Sequence, residues 1–170
     1  ILPYMKNGVQ SSSDIYDIRN NTLSKMPITE NLNITEFLPY NLSNDDVLVS
    51  RYGWASPSKF SKTSLNNPLE NEKKLLFRKD IIYPGANDIV VEEIEIPSYD
   101  NVLVPVSIIY KKGIKMDGSN PTYVFGYGAY GRTSFAGFNP DYLLMANRGM
   151  VIVISHVRGG GEKGRAWHIA

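Results

Sequence analysis

Apolar and polar positions alternate in several short runs along the first half of the chain. Asp14-Ile15-Tyr16-Asp17-Ile18 alternates as a half-buried strand does. Asp46-Val47-Leu48-Val49-Ser50-Arg51-Tyr52 and Lys73-Lys74-Leu75-Leu76-Phe77-Arg78 read as two further strands. An Asn/Thr/Ser-rich stretch, Asn20 to Asn44, with Pro27 and Pro39, lies between the first two. Short strands set off by polar turns are the pattern of sandwiches, barrels or propeller blades. No repeat of blade length is visible, and about 78 residues would hold one or two blades.

The pattern changes after the turn-rich connection Tyr83-Pro84-Gly85-Ala86-Asn87-Asp88, and the domain boundary is placed at about residue 85. Glu92 to Pro97 alternates strictly, Ser98-Tyr99-Asp100-Asn101 is a turn, and Val102 to Tyr110 alternates again, which predicts an antiparallel hairpin. Lys111 to Asn120 is a loop, and Thr122-Tyr123-Val124-Phe125 a third strand. Asp141 to Arg148 reads as a helix, with Asp141 as the capping acid and Gly149 at the C′ position. Met150 to Ile154 is a continuous apolar run, the mark of a strand buried on both faces. A turn at Arg158 to Gly161 leads into a helix expected to start over Glu162 to Trp167. Hairpin, strand, helix, buried strand and helix form the opening of an α/β domain.

Composition narrows the chemistry. The 170 residues carry 18 Lys+Arg and 17 Asp+Glu, a net charge of +1, which does not suggest a nucleic-acid partner. The absence of Cys excludes a thiolate nucleophile and any Cys-built metal or disulfide site. With two His and no HExxH, neither a metal nor another cofactor is expected. No apolar run reaches the roughly 18 residues of a membrane helix, so no membrane partner is expected either. Three sequons, at Asn20, Asn33 and Asn41, are what an Asn-rich chain produces by chance. With no leader pattern and no Cys, the chain fits a cytoplasmic or periplasmic location. Ile1-Leu2-Pro3-Tyr4 and Trp167-His168-Ile169-Ala170 both read as cut ends, and a fragment is expected.

Two stretches fit GxGxxG, Gly126 to Gly131 and Gly159 to Gly164, each after a predicted strand. A dinucleotide-binding turn also needs an acidic residue at the end of the following strand. After the first stretch that strand ends Ile154-Ser155-His156, with no acid. Gly164-Arg165-Ala166 lacks the Lys-Ser/Thr of a P-loop. Glycines also serve where strand ends turn sharply or backbones pack closely. Tyr127, between Gly126 and Gly128, lies at a strand end where a phenol could donate to a developing oxyanion, or could simply pack.

Three segments in order resemble one family. They are Lys111 to Pro121 (KKGIKMDGSNP), Phe125 to Gly131 (FGYGAYG), and His156 to Glu162 (HVRGGGE) with Gly164-Arg165-Ala166-Trp167-His168. Across about 60 residues they resemble the prolyl oligopeptidase family of serine peptidases. Trp54-Ala55-Ser56-Pro57-Ser58 is similar to that family's final propeller blade. The resemblance implies an α/β fold: residues 1–85 the C-terminal part of a β-propeller, 86–170 the first part of an α/β-hydrolase domain, incomplete as given. It implies a serine endopeptidase that cleaves short peptides through an acyl-enzyme, with the remainder of its own catalytic domain as partner. Tyr127 takes the oxyanion-hole role by matching motif, and Tyr130 lines the substrate pocket. Arg158, Gly159, Gly160, Gly161 and Glu162 shape the active-site loop. On the residues alone, Arg158 could equally be a buried ion pair that holds the loop, and Glu162 an early-helix acid favourable to the dipole. The Lys111 to Ser119 motif leans toward the proline-specific branch, and Gly164-Arg165-Ala166-Trp167 toward the basic-specific one.

The family's reaction needs a Ser on a GxSxG elbow, then Asp, then His. GxSxG does not occur in this sequence, and neither Ser134 nor Ser155 has the flanking glycines. Ser155 and His156, adjacent on a strand, point to opposite faces and cannot form a nucleophile–base pair. His168 precedes the place where the nucleophile belongs. The 170 residues alone are therefore expected to be inactive. A nucleotide-binding module built on the GxGxxG turns, and a non-enzymatic β-rich interaction domain, are the competing readings.

Overall fold

A computed structural model of the chain describes residues 1–6, 8–26, 34–41, 45–66, 73–74 and 81–170. The first strands form a meander, β1 (Leu2–Lys6), β2 (Gln10–Asp17) and β3 (Thr22–Lys25), paired antiparallel in that order. The β2–β3 turn is fixed by Asp17, whose Oδ1 accepts from Arg19 N at 2.8 Å while Oδ2 accepts from the Asn20 amide at 2.7 Å. This is the Asx geometry that short polar side chains favour in turns. A second antiparallel sheet follows, with β4 (Ile34–Asn41), β5 (Asp46–Gly53), β6 (Ser56–Ser64) and β7 (Lys73–Lys74) in chain order. Val47 and Val49 of β5 and Met26 bury a small core of their own.

The third sheet contains the hairpin, with β8 (Ile89–Pro97) antiparallel to β9 (Leu103–Lys111). β10 (Thr122–Phe125) leads through α1 (Pro140–Asn147) to β11 (Val151–Ser155), and α2 (Arg165–Ile169) closes the chain. The strand order is β10-β11-β9-β8, with β10 parallel to β11 and β11 antiparallel to β9. Helix α1 is the crossover that a parallel pair requires. One face of this sheet bears Ile109, Ile152 and Ile154, which pack with Ala136, Ala146 of α1 and Trp54 from the β5–β6 turn. No helix among the described residues is long and apolar enough to cross a membrane.

The hairpin read from alternation is present, with β8 beginning three residues earlier at Ile89, and the strands read at 122–125 and 150–154 fall at β10 and β11. Other elements differ. The strand read at residues 14–18 starts at Gln10 and ends at Asp17, leaving Ile18 exposed. Of the 73–78 strand, Lys73–Lys74 is β7 and residues 75–78 lie outside the described residues. β3 and β4 occupy the Asn/Thr/Ser-rich stretch, where neighbouring strands supply the hydrogen-bond partners that the side-chain pattern does not advertise.

The cap of α1 is Asn139, whose side chain accepts from Asp141 N at 2.9 Å; Asp141 sits in the first turn instead, because Pro140 has taken the first helical position. Gly149 does close the helix at φ 85°, with Gly149 N bonding Ala146 O and Met150 N bonding Met145 O. β11 buries Val151, Ile152 and Ile154 but leaves Val153 and Ser155 half-buried, so it is not sealed on both faces. The second helix begins at Arg165, after the positive φ of Gly164, three residues beyond Glu162.

Candidate active site

Because β10 and β11 run parallel as neighbours, the loops leaving their carboxyl ends emerge side by side. That edge is where α/β sheets build their sites. Residues 126–131 leave β10 and residues 156–161 leave β11, and the two segments lock together. Gly131 N donates to Gly159 O at 2.9 Å, and Gly161 N to Arg132 O at 3.3 Å. Gly159 has φ 89°, and a Cβ there would stand 2.8 Å from the Gly128 carbonyl carbon and closer still to its oxygen. A Cβ on Gly160 would strike the Glu162 carboxylate and stand 3.1 Å from Arg132 O. Gly128 and Gly131 of the first GxGxxG stretch are thus in contact with Gly159 and Gly161 of the second, and these four glycines pack loop against loop and do not cradle a phosphate.

Tyr127 stands on this platform with its ring half-exposed, the Arg132 guanidinium carbon 5.9 Å from the ring centroid. Its hydroxyl has no hydrogen-bond partner among the described residues. Tyr130 is 85% exposed and holds φ 56°, a left-handed conformation that a bulky side chain adopts only when its surroundings impose it. Here the flanking Gly128 and Gly131 are also left-handed, at φ 59° and 62°.

Arg158 pairs with Asp100 of the hairpin turn, Nη1 to Oδ2 at 2.5 Å, and lies 5.7 Å from the Tyr99 ring centroid. The guanidinium holds the Asp100 carboxyl below its usual range. The pair is partly solvent-exposed rather than buried, so it registers the loop against the hairpin more than it adds stability. Glu162 is not an early-helix acid. It lies before α2, is buried, and accepts the Ser134 backbone N–H at 2.9 Å. His168 is exposed in the last turn of α2, its Nδ1 2.9 Å from Gly159 O and its ring against Gly131.

Neither histidine serves Ser134 or Ser155. His156 points the other way from Ser155, into the sheet's buried face, where its Nε2 lies 2.9 Å from Ser107 Oγ. Ser107 donates to Glu93 Oε2 at 2.6 Å, and His156 Nδ1 faces Glu162 Oε1 at 3.6 Å, beyond hydrogen-bond reach. Ser107 and His156 are both fully buried, so no substrate can reach the hydroxyl and the set is not a catalytic triad. Burial pushes the Glu93 carboxyl up to about 7, against the opposing pull of the Ser107 hydroxyl and the Trp54 indole N–H. Burial likewise pushes the His156 imidazole below its ordinary value, and Glu162 only partly offsets this. Sequence reasoning missed this cluster. Its signals were a Glu at an inward position of an alternating strand and a Ser within the apolar run Val102 to Tyr110.

The fold and the paired glycine loops define an α/β sheet with a tyrosine-bearing turn at its carboxyl edge. Residues 136–170 match the Prolyl oligopeptidase family. Dipeptidyl aminopeptidase BI of Pseudoxanthomonas mexicana is 30% identical over 119 residues, covering 69% of this chain and 16% of that protein. Prolyl endopeptidase of Elizabethkingia meningoseptica is 30% identical over 112 residues, covering 66% of this chain and 15% of that one. Among solved structures, one from a study of two prolyl endopeptidases superposes with TM-score 0.85 at 24% identity, over 99% of this chain and 24% of that chain. Oligopeptidase B from Leishmania major superposes at 0.77 and 22% identity, over 98% of this chain and 24% of that chain. The chain belongs to the prolyl oligopeptidase family, and it spans 15–16% of the length of these two curated relatives.

Proposed function

We propose that this chain is the junction of a serine oligopeptidase. Residues 1–85 are the C-terminal part of a β-propeller domain and residues 86–170 the N-terminal part of an α/β-hydrolase catalytic domain. The reaction is hydrolysis of peptide bonds in short peptides by acyl transfer, and the nucleophilic Ser, the Asp and the His come from outside these residues. Tyr127 donates its hydroxyl to the oxyanion of the tetrahedral intermediate, and Tyr130 lines the substrate pocket. Arg158, Gly159, Gly160, Gly161 and Glu162 hold the turn that carries them. The observation that carries this reading is the Tyr127 hydroxyl, partnerless among the described residues, on a glycine-locked turn at the carboxyl end of a parallel strand. A donor fixed there meets charge that appears only in the transition state, and therefore accelerates the chemical step.

The test uses the longer protein that contains this chain. It is expected to react stoichiometrically with a serine-directed fluorophosphonate, whereas the 170 residues alone are not. Tyr127→Phe retains the ring and removes the donor, with an expected loss of about 10²–10³ in kcat. Tyr130→Phe, which keeps a pocket wall, should change kcat little. Equal small effects on kcat from both substitutions would refute the oxyanion role, and labelling of the isolated chain at Ser134 or Ser155 would refute the placement of the nucleophile.

A further inference from the structure

His168, exposed at the end of α2, has no part in the reaction proposed above, yet it touches both glycine loops. Its Nδ1 lies 2.9 Å from Gly159 O. Its ring covers Gly131, where a Cβ would stand 3.4 Å from the His168 Cγ and 3.5 Å from Nδ1. The ring therefore fills the face that Gly131 leaves open.

Hydrogen-bond chemistry fixes which ring nitrogen carries the hydrogen. Gly159 O is a carbonyl and only accepts, so Nδ1 must donate, and in the neutral ring Nε2 is the bare nitrogen. The same carbonyl accepts Gly131 N–H at 2.9 Å, so both of its lone pairs are used. Gly159 N donates to Trp167 O at 3.0 Å. The peptide groups of Gly159 thus join the turn after β10 to α2. The helix offers a fixed base for this contact. Trp167 is buried, and its indole N–H donates to His156 O at 3.2 Å. Trp167 N and His168 N both donate to Gly164 O, at 3.1 and 3.2 Å.

We propose, on the peptidase reading of the site, that His168 is a positioning residue for the oxyanion donor: its Nδ1–H, held on Gly159 O with the ring against Gly131, sets the place of the turn that carries Tyr127. The path is short. Gly159 packs against Gly128, the neighbour of Tyr127, and a Cβ on Gly159 would stand 2.8 Å from the Gly128 carbonyl carbon. Gly159 O holds Gly131 N on the other side of Tyr130. A shift of the Tyr127 backbone has to displace one of these contacts. No hydrogen bond joins His168 to Tyr127 among the described residues, so the histidine acts through Gly159 and not on the reacting atoms. Misplacing a catalytic group by about 1 Å can cost about 10²-fold in rate. Without the imidazole Gly159 O keeps one of its two donors, so the turn loosens and does not detach.

Two measurements test this. The first is the ¹⁵N-imidazole spectrum of the full 170-residue chain, which has two histidines, with His168→Asn to assign the signals. At about pH 8.5, above the range in which histidine ordinarily titrates, His168 is expected as the Nδ1–H tautomer. The second is steady-state kinetics on the longer protein that contains this chain. His168→Ala should lower kcat on a short peptide by about 10-fold, within the cost of a small misplacement, and leave KM little changed. In a Tyr127→Phe background the same substitution should cost nothing further, because the hydroxyl through which His168 acts is gone. His168→Asn, whose amide nitrogen is bonded to Cγ as Nδ1 is, should recover most of the loss. His168→Gln, whose amide lies one bond further out, should not.

An Nε2–H tautomer would overturn the proposal whether or not His168→Ala folds. Equal losses of kcat in the wild-type and Tyr127→Phe backgrounds would also overturn it, since a general loss of stability acts on both. A longer protein that hydrolyses peptides and is slowed by Tyr127→Phe, but is indifferent to His168→Ala, would keep the peptidase reading and refute the role of His168 alone. One that hydrolyses no peptide would refute that reading, and the role of His168 with it.

Discussion

Gly159→Ala and Gly149→Ala together measure how much the contact between the two glycine loops stabilises the chain. The two glycines have nearly the same backbone conformation, φ 89° and 85°. An L-residue held there is disfavoured by about 1–2 kcal/mol. At Gly149 that is the whole effect, because a Cβ meets nothing within 4 Å. At Gly159 the Cβ also lands 2.8 Å from the Gly128 carbonyl carbon and nearer to its oxygen, which is backbone and cannot rotate away. Overpacking of this kind adds about 1–3 kcal/mol, so Gly159→Ala is expected to destabilise by about 2–5 kcal/mol. For a chain of this size each kcal/mol lowers Tm by about 2–4 °C. Thermal unfolding followed by near-UV circular dichroism should therefore place Gly159→Ala several degrees below Gly149→Ala. In the longer protein, only the substitution at Gly159 should also lower kcat, since it separates the turn bearing Tyr127 from the loop that holds it. Equal Tm values for the two variants would refute the claim that the loops are locked by direct backbone contact.

Glu93 gives a pH dependence. Its carboxyl is raised from 4.5 to about 7 in the folded chain, so the folded state binds the proton more tightly than the unfolded state. The stability this provides is complete below about pH 4.5 and is lost as pH rises through about 7. Glu93→Gln should flatten that slope in urea-unfolding curves taken across the same range; an unchanged slope would assign it to another group. Ile152→Ala removes a fully buried side chain between β9 and β10. It should lower unfolding free energy by about 2–5 kcal/mol, measured by urea titration, and a loss below about 1 kcal/mol would contradict the core assignment.

The legible parts of the sequence were those in which side chains alone determine the element. Glu92 to Tyr110 could be read as a hairpin from its alternation, although in β8 the apolar Ile94 and Ile96 are exposed and Glu93 turns inward, and Met150 to Ile154 is apolar because α1 and Trp54 cover it. β4 and β6 were not legible. Ser56-Pro57-Ser58-Lys59 has no apolar period, and it is a strand because β5 beside it offers a ladder of backbone partners. Asn139 was passed over as a cap because Asp141 has the more familiar chemistry, although Pro140 fixes the helix start one residue earlier. Tyr127 and Tyr130 could be read from the motif that surrounds them. Their geometry could not, since it depends on segments about 30 residues apart meeting at one sheet edge.

That meeting also explains why a charged residue is buried next to glycines. Gly160 leaves the space that the Glu162 carboxylate fills, and Glu162 in turn fixes Ser134 N, so a missing side chain in one loop positions the backbone of the other. A carboxylate placed there requires a donor on its other side. His156 is the group in position, its Nδ1 3.6 Å from Glu162 Oε1. Replacing Glu162 by Gln keeps the shape and an acceptor for Ser134 N, whereas Glu162→Ala removes both and leaves that N–H without its acceptor. A backbone donor deprived of its partner in this way costs about 1–3 kcal/mol. Urea unfolding should therefore place Glu162→Ala below Glu162→Gln by about that amount. Equal stabilities for the two variants would mean that the contact between Glu162 and Ser134 N does not hold the second loop.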